Sequence, residues 1–451
     1  MDEMELKYKQ MTEPPVSRLI CKLAVPCIIS MLVTAFYNMA DTYFVGMLKS
    51  NAATAAVGVV YSMMAIIQAV GFFFGQGSGN YISRELGKKN YQEASNMAAT
   101  GFFSALAAGA LICIVGQIFI EPLAYLLGST ATILPYTEEY LRVILIGAPW
   151  MTSSLVLNNQ LRFQGSASYA MVGIVSGATL NIALDPLLIF VFDMGVAGAG
   201  LATIISQFVS FCLLLKGCSK GSNIHIKIRN VQIKWHYYKM IIRGGLPSLA
   251  RQSLASVATI CLNHAAQPYG DAALAAMGVV QRITMFGAST MIGFGQGFQP
   301  VCGFNYGAGL YSRVKKGFWF CVKVSFGFLA GVGILGYIFA PNLIALFRDD
   351  PAVIEFGTMA LRFQCMTLWV QSWVVMSNMM MQSIGRTVPA TFLAVARQGL
   401  FFIPMVLFLP PILDALGLQM AQSAADLLTF VCALPIQFSV LRSFTEDKPQ
   451  R

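Results

Sequence analysis

Long apolar runs, separated by short polar segments, fill the chain from about residue 19 to residue 441. Twelve of these runs have the roughly 20 residues that an α-helix needs to cross a hydrocarbon core about 30 Å thick. They lie near 19–45, 53–79, 96–119, 138–158, 168–192, 197–216, 242–267, 273–299, 315–339, 356–380, 388–411 and 420–441. The pattern predicts an all-α integral membrane protein with twelve transmembrane helices.

Composition agrees with a membrane protein, because 56% of the 451 residues are hydrophobic and only 11% are charged. A water-soluble chain of this length needs more charged residues to cover its surface. The net charge of +10 could instead indicate nucleic-acid binding. Here the basic residues are spread over alternate loops, so we expect the lipid bilayer and no nucleic acid as a partner.

The basic loops predict an orientation, because Lys and Arg favour the cytoplasmic ends of transmembrane helices. They occur in the N-terminal tail, in the second loop at Lys88 and Lys89, and through the connection 217–241. The third loop carries Glu121 and Glu138 instead. Both termini and the central connection are therefore predicted to be cytoplasmic, which requires an even number of spans.

The two halves repeat each other at a constant offset of 220 residues. The matched pairs are Gly58 with Gly278, Gly75-Gln76-Gly77 with Gly295-Gln296-Gly297, Asn158 with Asn378, and Gly165 with Gly385. Such a duplication could serve stability alone. Because each half has six spans, however, the halves are parallel repeats of the kind found in secondary transporters. We predict pseudo-twofold-related lobes at 1–216 (helices 1–6) and 242–451 (helices 7–12), joined by a cytoplasmic segment at 217–241.

Two acidic residues lie inside predicted spans of the first half, Asp41 and Asp185. A charged side chain at the bilayer centre costs at least about 2.5–3.5 kcal/mol, so such residues usually face an interior cavity. Asn181 precedes Asp185 by one helical turn, Pro186 frees a backbone carbonyl beside it, and Thr203 adds a hydroxyl. We predict a coupling-ion site for H⁺ or Na⁺ on Asp41, Asn181, Asp185 and Thr203, a metal site only if the ion is Na⁺. The alternative is that both acids sit hydrated at the ends of their helices.

The second half carries a different set of intramembrane charges, namely Arg251, Arg282, Arg397 and Asp426. It has no acid at the positions that match the two acids of the first half, so it is a poor candidate for a cation site. Asp426 is interpreted as a residue that neutralises one of the arginines.

A substrate cavity is predicted from side chains that suit varied organic cations. Aromatic faces attract cations, and methionine adapts its shape to different ligands. The candidates are Phe36, Tyr37, Tyr61, Asn158, Arg282, Met285, Met291 and Asn378. Most methionines in such a chain would nevertheless pack in the core or against lipid.

Several chemical motifs are missing from the sequence. It has no GxxxxGKS phosphate loop, so direct ATP drive is not indicated. It has no HExxH or GxSxG motif, and its ten cysteines include no CxxC pair. We expect no enzymatic activity and no cofactor, and we interpret the glycine pairs at 75–77 and 295–297 as sites of close helix packing.

Together these features resemble the multidrug and toxic compound extrusion (MATE) family, in its bacterial branch of DinF-like and MepA-like exporters. The resemblance rests on Asn38-Met39-Ala40-Asp41-Thr42 with Gly46, Gly75-Gln76-Gly77, Asn181 to Leu187, and Gly195 to Thr203, and it covers essentially the whole chain. It implies two six-helix lobes, the same first-half cation site, and a multi-pass protein of the bacterial inner (cytoplasmic) membrane, expected as a monomer. NorM-like members also use acids in the seventh and tenth spans, which this chain lacks at the middle of those spans.

The resemblance implies an antiporter that exports small organic cations or amphiphiles in exchange for H⁺ or Na⁺ by alternating access. A rival within transport is a flippase for lipid-linked oligosaccharides or other amphiphiles, which the second-half arginines would suit. A rival from another class is an intramembrane enzyme or receptor, for which two matched halves without a catalytic constellation have no evident use.

Overall fold

The computed structural model describes residues 3–48, 50–221, 223–444 and 447, and within them every regular element is a helix. The helices are α1 (Glu3–Thr12), α2 (Val16–Gly46), α3 (Asn51–Gly87), α4 (Tyr91–Ile118), α5 (Ile120–Leu126), α6 (Leu134–Phe163), α7 (Ala167–Pro186), α8 (Gly195–Cys218), α9 (Trp235–Ala266), α10 (Asp271–Gly307), α11 (Tyr311–Ile338), α12 (Ala340–Phe347), α13 (Pro351–Thr367), α14 (Gln371–Ser383), α15 (Thr387–Val395), α16 (Ile403–Phe408) and α17 (Pro410–Arg442). The predicted all-α class is confirmed.

Nine helical segments of the described residues are long and apolar enough to cross a membrane, judged by length and composition. The last of them, Thr387–Arg442, contains both final predicted spans. Two further predicted spans coincide with α9, which carries Arg243 and Arg251, and with α13 and α14, which a single 3₁₀ turn at Leu368–Val370 joins. All twelve predicted spans therefore correspond to helical segments.

The helices extend beyond the apolar runs at their polar ends. α3 continues to Gly87 and α10 to Gly307, about two turns past the predicted limits. Backbone hydrogen bonding does not need apolar side chains, so hydropathy marks the membrane crossing rather than the helix end. Both helices are followed by a residue with positive φ, Lys89 at 59° and its repeat mate Gly309 at 74°.

Two spans contain π-helical segments, Leu187–Val191 after α7 and Ala396–Phe402 after α15. The first follows directly on Pro186, which has no backbone N–H to donate to the preceding turn. The predicted break at this proline is thus present as a widened turn. The last span is interrupted at Asp414, whose φ of 53° and ψ of −138° are not helical.

The chain forms two compact units. The first unit comprises Met1–Pro14 and Val25–Gly245, and the second comprises Pro15–Ala24 and Leu246–Arg451. The predicted lobes follow chain order instead, with borders at 216 and 242. In the units, the start of α2 groups with the second half, and the connection with the start of α9 groups with the first.

The paired glycine motifs explain where these helix starts pack. In the first unit, a Cβ added at Gly77 would overlap the backbone of Ile241, at the start of α9. In the second unit, a Cβ added at Gly297 would overlap the backbone of Ala24, in the early part of α2. Each motif therefore serves as a seat for close helix packing, as the sequence suggested.

Other packing contacts recur at the same offset of 220. Gly75 faces Asn159 and Gly295 faces Met379. In the same way, Gly116 faces Leu145 and Gly336 faces Cys365. The internal repeat of the sequence is therefore also a repeat of side-chain contacts within each unit.

The short helix α1 precedes the first span and is held against the first unit by a buried lysine. Lys7 Nζ donates to Ser166 Oγ at 2.9 Å and to Asn223 Oδ1 at 2.6 Å. Burial lowers the pKa of Lys7 from its usual 10.5 to about 8, because removing an ammonium group from water disfavours its charged form.

Candidate functional site

Asp185 and Asn181 lie one turn apart at the end of α7, and the exposed fraction of the Asp185 side chain is 0%. Pro186 ends the regular hydrogen bonding immediately after the acid. The predicted position of this acid, facing the protein interior beside a helix break, is what the structure contains.

Small residues at the start of α8 bring Thr203 to the same place. A Cβ at Gly198 would lie 2.7 Å from the carbonyl oxygen of Leu188, and one at Gly200 would lie 2.8 Å from the Tyr140 ring. Glycine at both positions lets α8 approach the π-helical segment and α6 closely. Thr203, one turn further, is buried, and its hydroxyl donates to Ala199 O at 3.1 Å.

The side chain of Asn181 connects Asp185 with Thr203. In one amide orientation Asn181 Nδ2 donates to Thr203 Oγ1 at 3.4 Å. In the reverse orientation it donates to Asp185 Oδ2 at 3.1 Å, and its oxygen accepts from Thr203 N at 3.3 Å. The second orientation satisfies both polar groups of the amide, so we favour it. Three of the four predicted site residues thus form one hydrogen-bonded group.

Asp41, in α2, joins this group through its charge. It lies close enough to Asp185 for the two carboxylates to repel each other. Asp41 Oδ1 and Asp185 Oδ1 are both buried, and neither has a hydrogen-bond partner among the described residues. Two neighbouring buried carboxylates oppose each other's ionisation, so a small cation between or on them would relieve both costs.

Two tyrosines border the acids, and sequence reasoning found one of them only for another role. Tyr37, predicted for the substrate cavity, is buried and lies in the field of both carboxylates. Tyr140 of α6 lies in the same field and is fully buried, and the sequence analysis missed it. Its one signal was a hydroxyl in an otherwise apolar stretch, which equally fits a residue at the membrane interface.

The other candidates for a substrate cavity fall into two groups. Phe36 is 58% exposed, Tyr61 is 56% exposed and Met285 is 44% exposed, whereas Met291 is buried and Arg282 is half-buried. Exposure leaves the first three able to touch a ligand or lipid. Their part in substrate binding stays a prediction.

Asn158 and Asn378, also proposed for the cavity, are buried and engaged with the backbone. Asn158 Nδ2 donates to Ala170 O at 3.5 Å, and Asn378 Nδ2 donates to Ala390 O at 2.6 Å. Each bond ties two consecutive helices of one unit together. This use of the amide fits a structural role.

The second unit contains a separate polar cluster around Asp426. The carboxylate accepts from Arg397 Nε at 2.8 Å, from Gln422 Nε2 at 3.0 Å and from Gln371 Nε2 at 3.0 Å. The interpretation that Asp426 neutralises an arginine is confirmed. The two glutamines were not identified from the sequence. No group of three or more His, Cys, Asp or Glu that could hold a metal occurs among the residues described.

Comparison with protein families decides the assignment of the chain. The family model described as MatE matches residues 26–187 and again residues 247–408, once in each half. The chain belongs to the MATE family. The predicted resemblance is thereby confirmed.

Relatives of this MATE chain are similar over nearly their whole length. The multidrug export protein MepA of Staphylococcus aureus (strain MRSA252) is 26% identical over 451 residues, covering 99% of this chain and 98% of the relative. MepA of Staphylococcus saprophyticus is 26% identical over 428 residues, covering 95% and 94%. The prediction that the chain is a transporter and not an enzyme agrees with these relatives, which are named as export proteins.

Solved structures share the fold. One, described as an outward-facing multidrug resistance MATE family transporter, superposes with a TM-score of 0.91 at 26% identity, covering 96% of this chain and 98% of that chain. A second, a transporter of the same superfamily from Pyrococcus furiosus with a binding pocket described as of reverse polarity, gives a TM-score of 0.90 at 25% identity, covering 97% and 98%. The predicted twelve-helix MATE fold of a multi-pass membrane transporter is confirmed.

Proposed function

We propose that this MATE transporter is a cation-coupled antiporter that exports small organic, mostly cationic compounds by alternating access. The observation that carries the proposal is the pair of buried carboxylates Asp41 and Asp185, each with an unpartnered oxygen among the described residues. The relatives named as multidrug export proteins support the substrate class.

The coupling ion is H⁺ or Na⁺, bound by Asp41, Asp185, Asn181 and Thr203. A proton would be shared between the carboxylates. Na⁺ would be held by the carboxylate, amide and hydroxyl oxygens, which are the donors that hard cations prefer. In both cases the site exchanges one positive charge with the solution.

Occupancy of the site is linked to conformation through α7 and the π-helical segment that follows Pro186. When both acids are ionised, their repulsion favours a wider arrangement of α2 and α7, whereas a bound cation favours a tighter one. Because a π-helical turn lacks the regular hydrogen-bond ladder, this part of the span rearranges at low cost. Ion release and substrate binding can then alternate.

The energetics of exchange are adequate for export. Moving a monovalent cation outward against the membrane potential costs about 2.3 kcal/mol per 100 mV. Importing one coupling cation cancels this electrical cost, so the ion's concentration gradient drives accumulation, at about 1.4 kcal/mol per pH unit in the case of H⁺. We further propose a monomer in the bacterial inner membrane with both termini in the cytoplasm.

Efflux in proteoliposomes tests the proposal. Ethidium efflux is measured under ΔpH alone and under ΔNa⁺ alone, for the wild type and for Asp41→Asn. We expect one gradient to drive efflux and Asp41→Asn to lose that drive. Asp193→Asn is a matched control, because Asp193 is an exposed acid of the same unit with a φ of 52°, which asparagine tolerates. Undiminished antiport by Asp41→Asn would overturn the site assignment.

A second candidate function, flipping of a lipid-linked oligosaccharide or another anionic amphiphile, is favoured by one observation. Arg251 and Arg397 lie close enough to repel each other, while Asp426 pairs with Arg397. A lipid-flipping assay that is positive, together with absent ethidium efflux, would replace the exporter by this function.

A further inference from the structure

The polar cluster of the second unit has more positive than negative charge. Arg251 of α9 and Arg397 of the second π-helical segment repel each other, and Asp426 of α17 is the acid that pairs with Arg397. Among the residues described, Arg251 has no ion pair. The cluster therefore carries an excess of one positive charge.

Asp426 cannot accept a second arginine without losing a partner. Its Oδ1 already accepts from Arg397 and Gln422, and its Oδ2 accepts from Gln371. The carboxylate is 3% exposed, so water does not compete for these bonds to any large extent. The donors of Arg251 are consequently left for another acceptor.

The two arginines are held on helices that pack directly against each other. Gly399, two residues after Arg397, faces the side chain of Leu254, three residues after Arg251. An added Cβ at Gly399 would lie 2.9 Å from Leu254 Cδ1. Arg397 uses its Nε for Asp426, so within the described part of the chain the outer nitrogens of both guanidinium groups remain available.

The cluster lies at the middle of its helices and is open to a ligand. Arg251 is 16 residues from the start of α9 and 15 from its end, and Asp426 is likewise 16 residues from either end of α17. Arg397 nevertheless keeps 27% of its side-chain surface exposed. A charged group at mid-span faces water or a ligand rather than lipid tails, because exposure to hydrocarbon is too costly.

We propose that Arg251 and Arg397 bind an oxyanion, a carboxylate or a phosphate, carried by an amphiphilic organic substrate. The planar guanidinium group matches the two oxygens of such anions and binds them in pairs. The inference rests on the proposed export function and deepens it, since it extends the substrates from simple cations to zwitterions and acidic amphiphiles. Neutral residues stand at the repeat-related positions Ser30 and Gly177, so this chemistry belongs to the second unit.

A role in stability alone would not require this arrangement. One arginine is enough to neutralise Asp426, and a second buried cation beside it costs free energy through repulsion and lost hydration. An anionic ligand offsets that cost only while it is bound. The cluster thus has the charge balance of a site that becomes neutral on binding.

Equilibrium binding in detergent, with no ion gradient, tests the inference. The probes are norfloxacin, which carries both an amine and a carboxylate, and its ethyl ester, which lacks the carboxylate. We expect Arg251→Gln to weaken norfloxacin binding by about tenfold and to leave the ester unchanged, since hydrogen bonds to charged groups are worth this much. Arg362→Gln is the matched control, because Arg362 bonds Tyr337 O and stacks on the Tyr337 ring, away from the cluster.

Asp426→Asn gives a result of the opposite sign. Removing the carboxylate frees Arg397, so norfloxacin should bind more tightly than to the wild type. A purely structural cluster predicts weaker binding of both probes in both variants, and that result would overturn the inference. If Asp426→Asn does not fold, as judged by gel filtration, the contrast between Arg251→Gln and Arg362→Gln still decides.

A lipid arm identifies the source of the anion. The same titrations are repeated with micelles containing phosphatidylglycerol or phosphatidylcholine. Competition by phosphatidylglycerol that Arg251→Gln abolishes supports an oxyanion site used by a lipid headgroup, and competition by neither lipid supports the drug carboxylate. Equal affinity of wild type and Arg251→Gln for norfloxacin and for phosphatidylglycerol would refute the site. Because no gradient is present, a failure of cation coupling would not alter these outcomes.

Discussion

Asn158 and Asn378 donate the same hydrogen bond in the two units, each from Nδ2 to the carbonyl of the residue twelve positions later. Both amides are buried, and both bridge the turn between two consecutive helices. The duplicated sequence has therefore kept not only a residue type but also its bonding partner. This relationship gives the first prediction.

Replacing either asparagine by leucine should destabilise the protein by a similar amount. Each change leaves a buried carbonyl without its donor, which costs about 1–3 kcal/mol. Thermal unfolding in detergent should show a lower Tm for Asn158→Leu and for Asn378→Leu, with Asn51→Leu, an exposed position, as the control. A Tm equal to that of the wild type would show that the two bonds contribute nothing to stability.

The glycine seats give a matched set of four variants. Gly77→Ala and Gly297→Ala add a methyl group that would overlap backbone atoms, so we expect each to cost about 1–3 kcal/mol. Gly58→Ala and Gly278→Ala are controls at another repeat-related pair, because no atom lies within 4 Å of their added Cβ. The controls should leave Tm unchanged or raise it slightly, since alanine favours a helix. A uniform response of all four would contradict the packing role.

Asp185→Asn should impair ion-driven efflux about as strongly as Asp41→Asn does, because the two acids share one ion. Asn181→Leu removes the amide between Asp185 and Thr203, so we expect weaker coupling with folding retained. Efflux under the effective gradient and downhill leakage of the same drug separate coupling from transport competence. Normal ion dependence in Asp185→Asn would confine coupling to Asp41.

Attachment of α1 should depend on pH through Lys7. Its pKa is about 8 when buried and 10.5 ordinarily, so burial of the charged amine weakens attachment below pH 8. Attachment strengthens as the pH rises from about 8 to 10.5, and it is constant above that range, where the amine is neutral in both states. Hydrogen exchange of the α1 amides, corrected for intrinsic rates, should show this trend. Lys7→Met should abolish it, whereas persistence of the trend in that variant would assign it to another group.

The sequence predicted the spans because each apolar run records a membrane crossing. It predicted Asp41, Asn181, Asp185 and Thr203 as one group because intramembrane acids are rare and the spacing of four puts two polar groups on one helix face. The hydrogen bonds of Asn181 then fit that grouping.

The features that the sequence did not predict depend on contacts between distant positions. Tyr140 reaches the acids because α8 approaches α6 at Gly200, which no local pattern reveals. Gln371 and Asp426 are 55 residues apart, and either one alone looks like an ordinary polar residue. The grouping of residues 15–24 with the second unit similarly depends on where Gly297 is placed, not on the residues themselves.

The recurrence of packing contacts at a fixed offset makes each half an internal reference for the other. Gly75 faces Asn159, whereas its counterpart Gly295 faces Met379. The molecule already accommodates a methionine in that geometry, so Asn159→Met should fit by size while losing the bond from Gln76 Nε2 to Asn159 Oδ1 at 3.0 Å. Comparison of one half with the other thus separates the volume of a side chain from its polarity without recourse to any second protein.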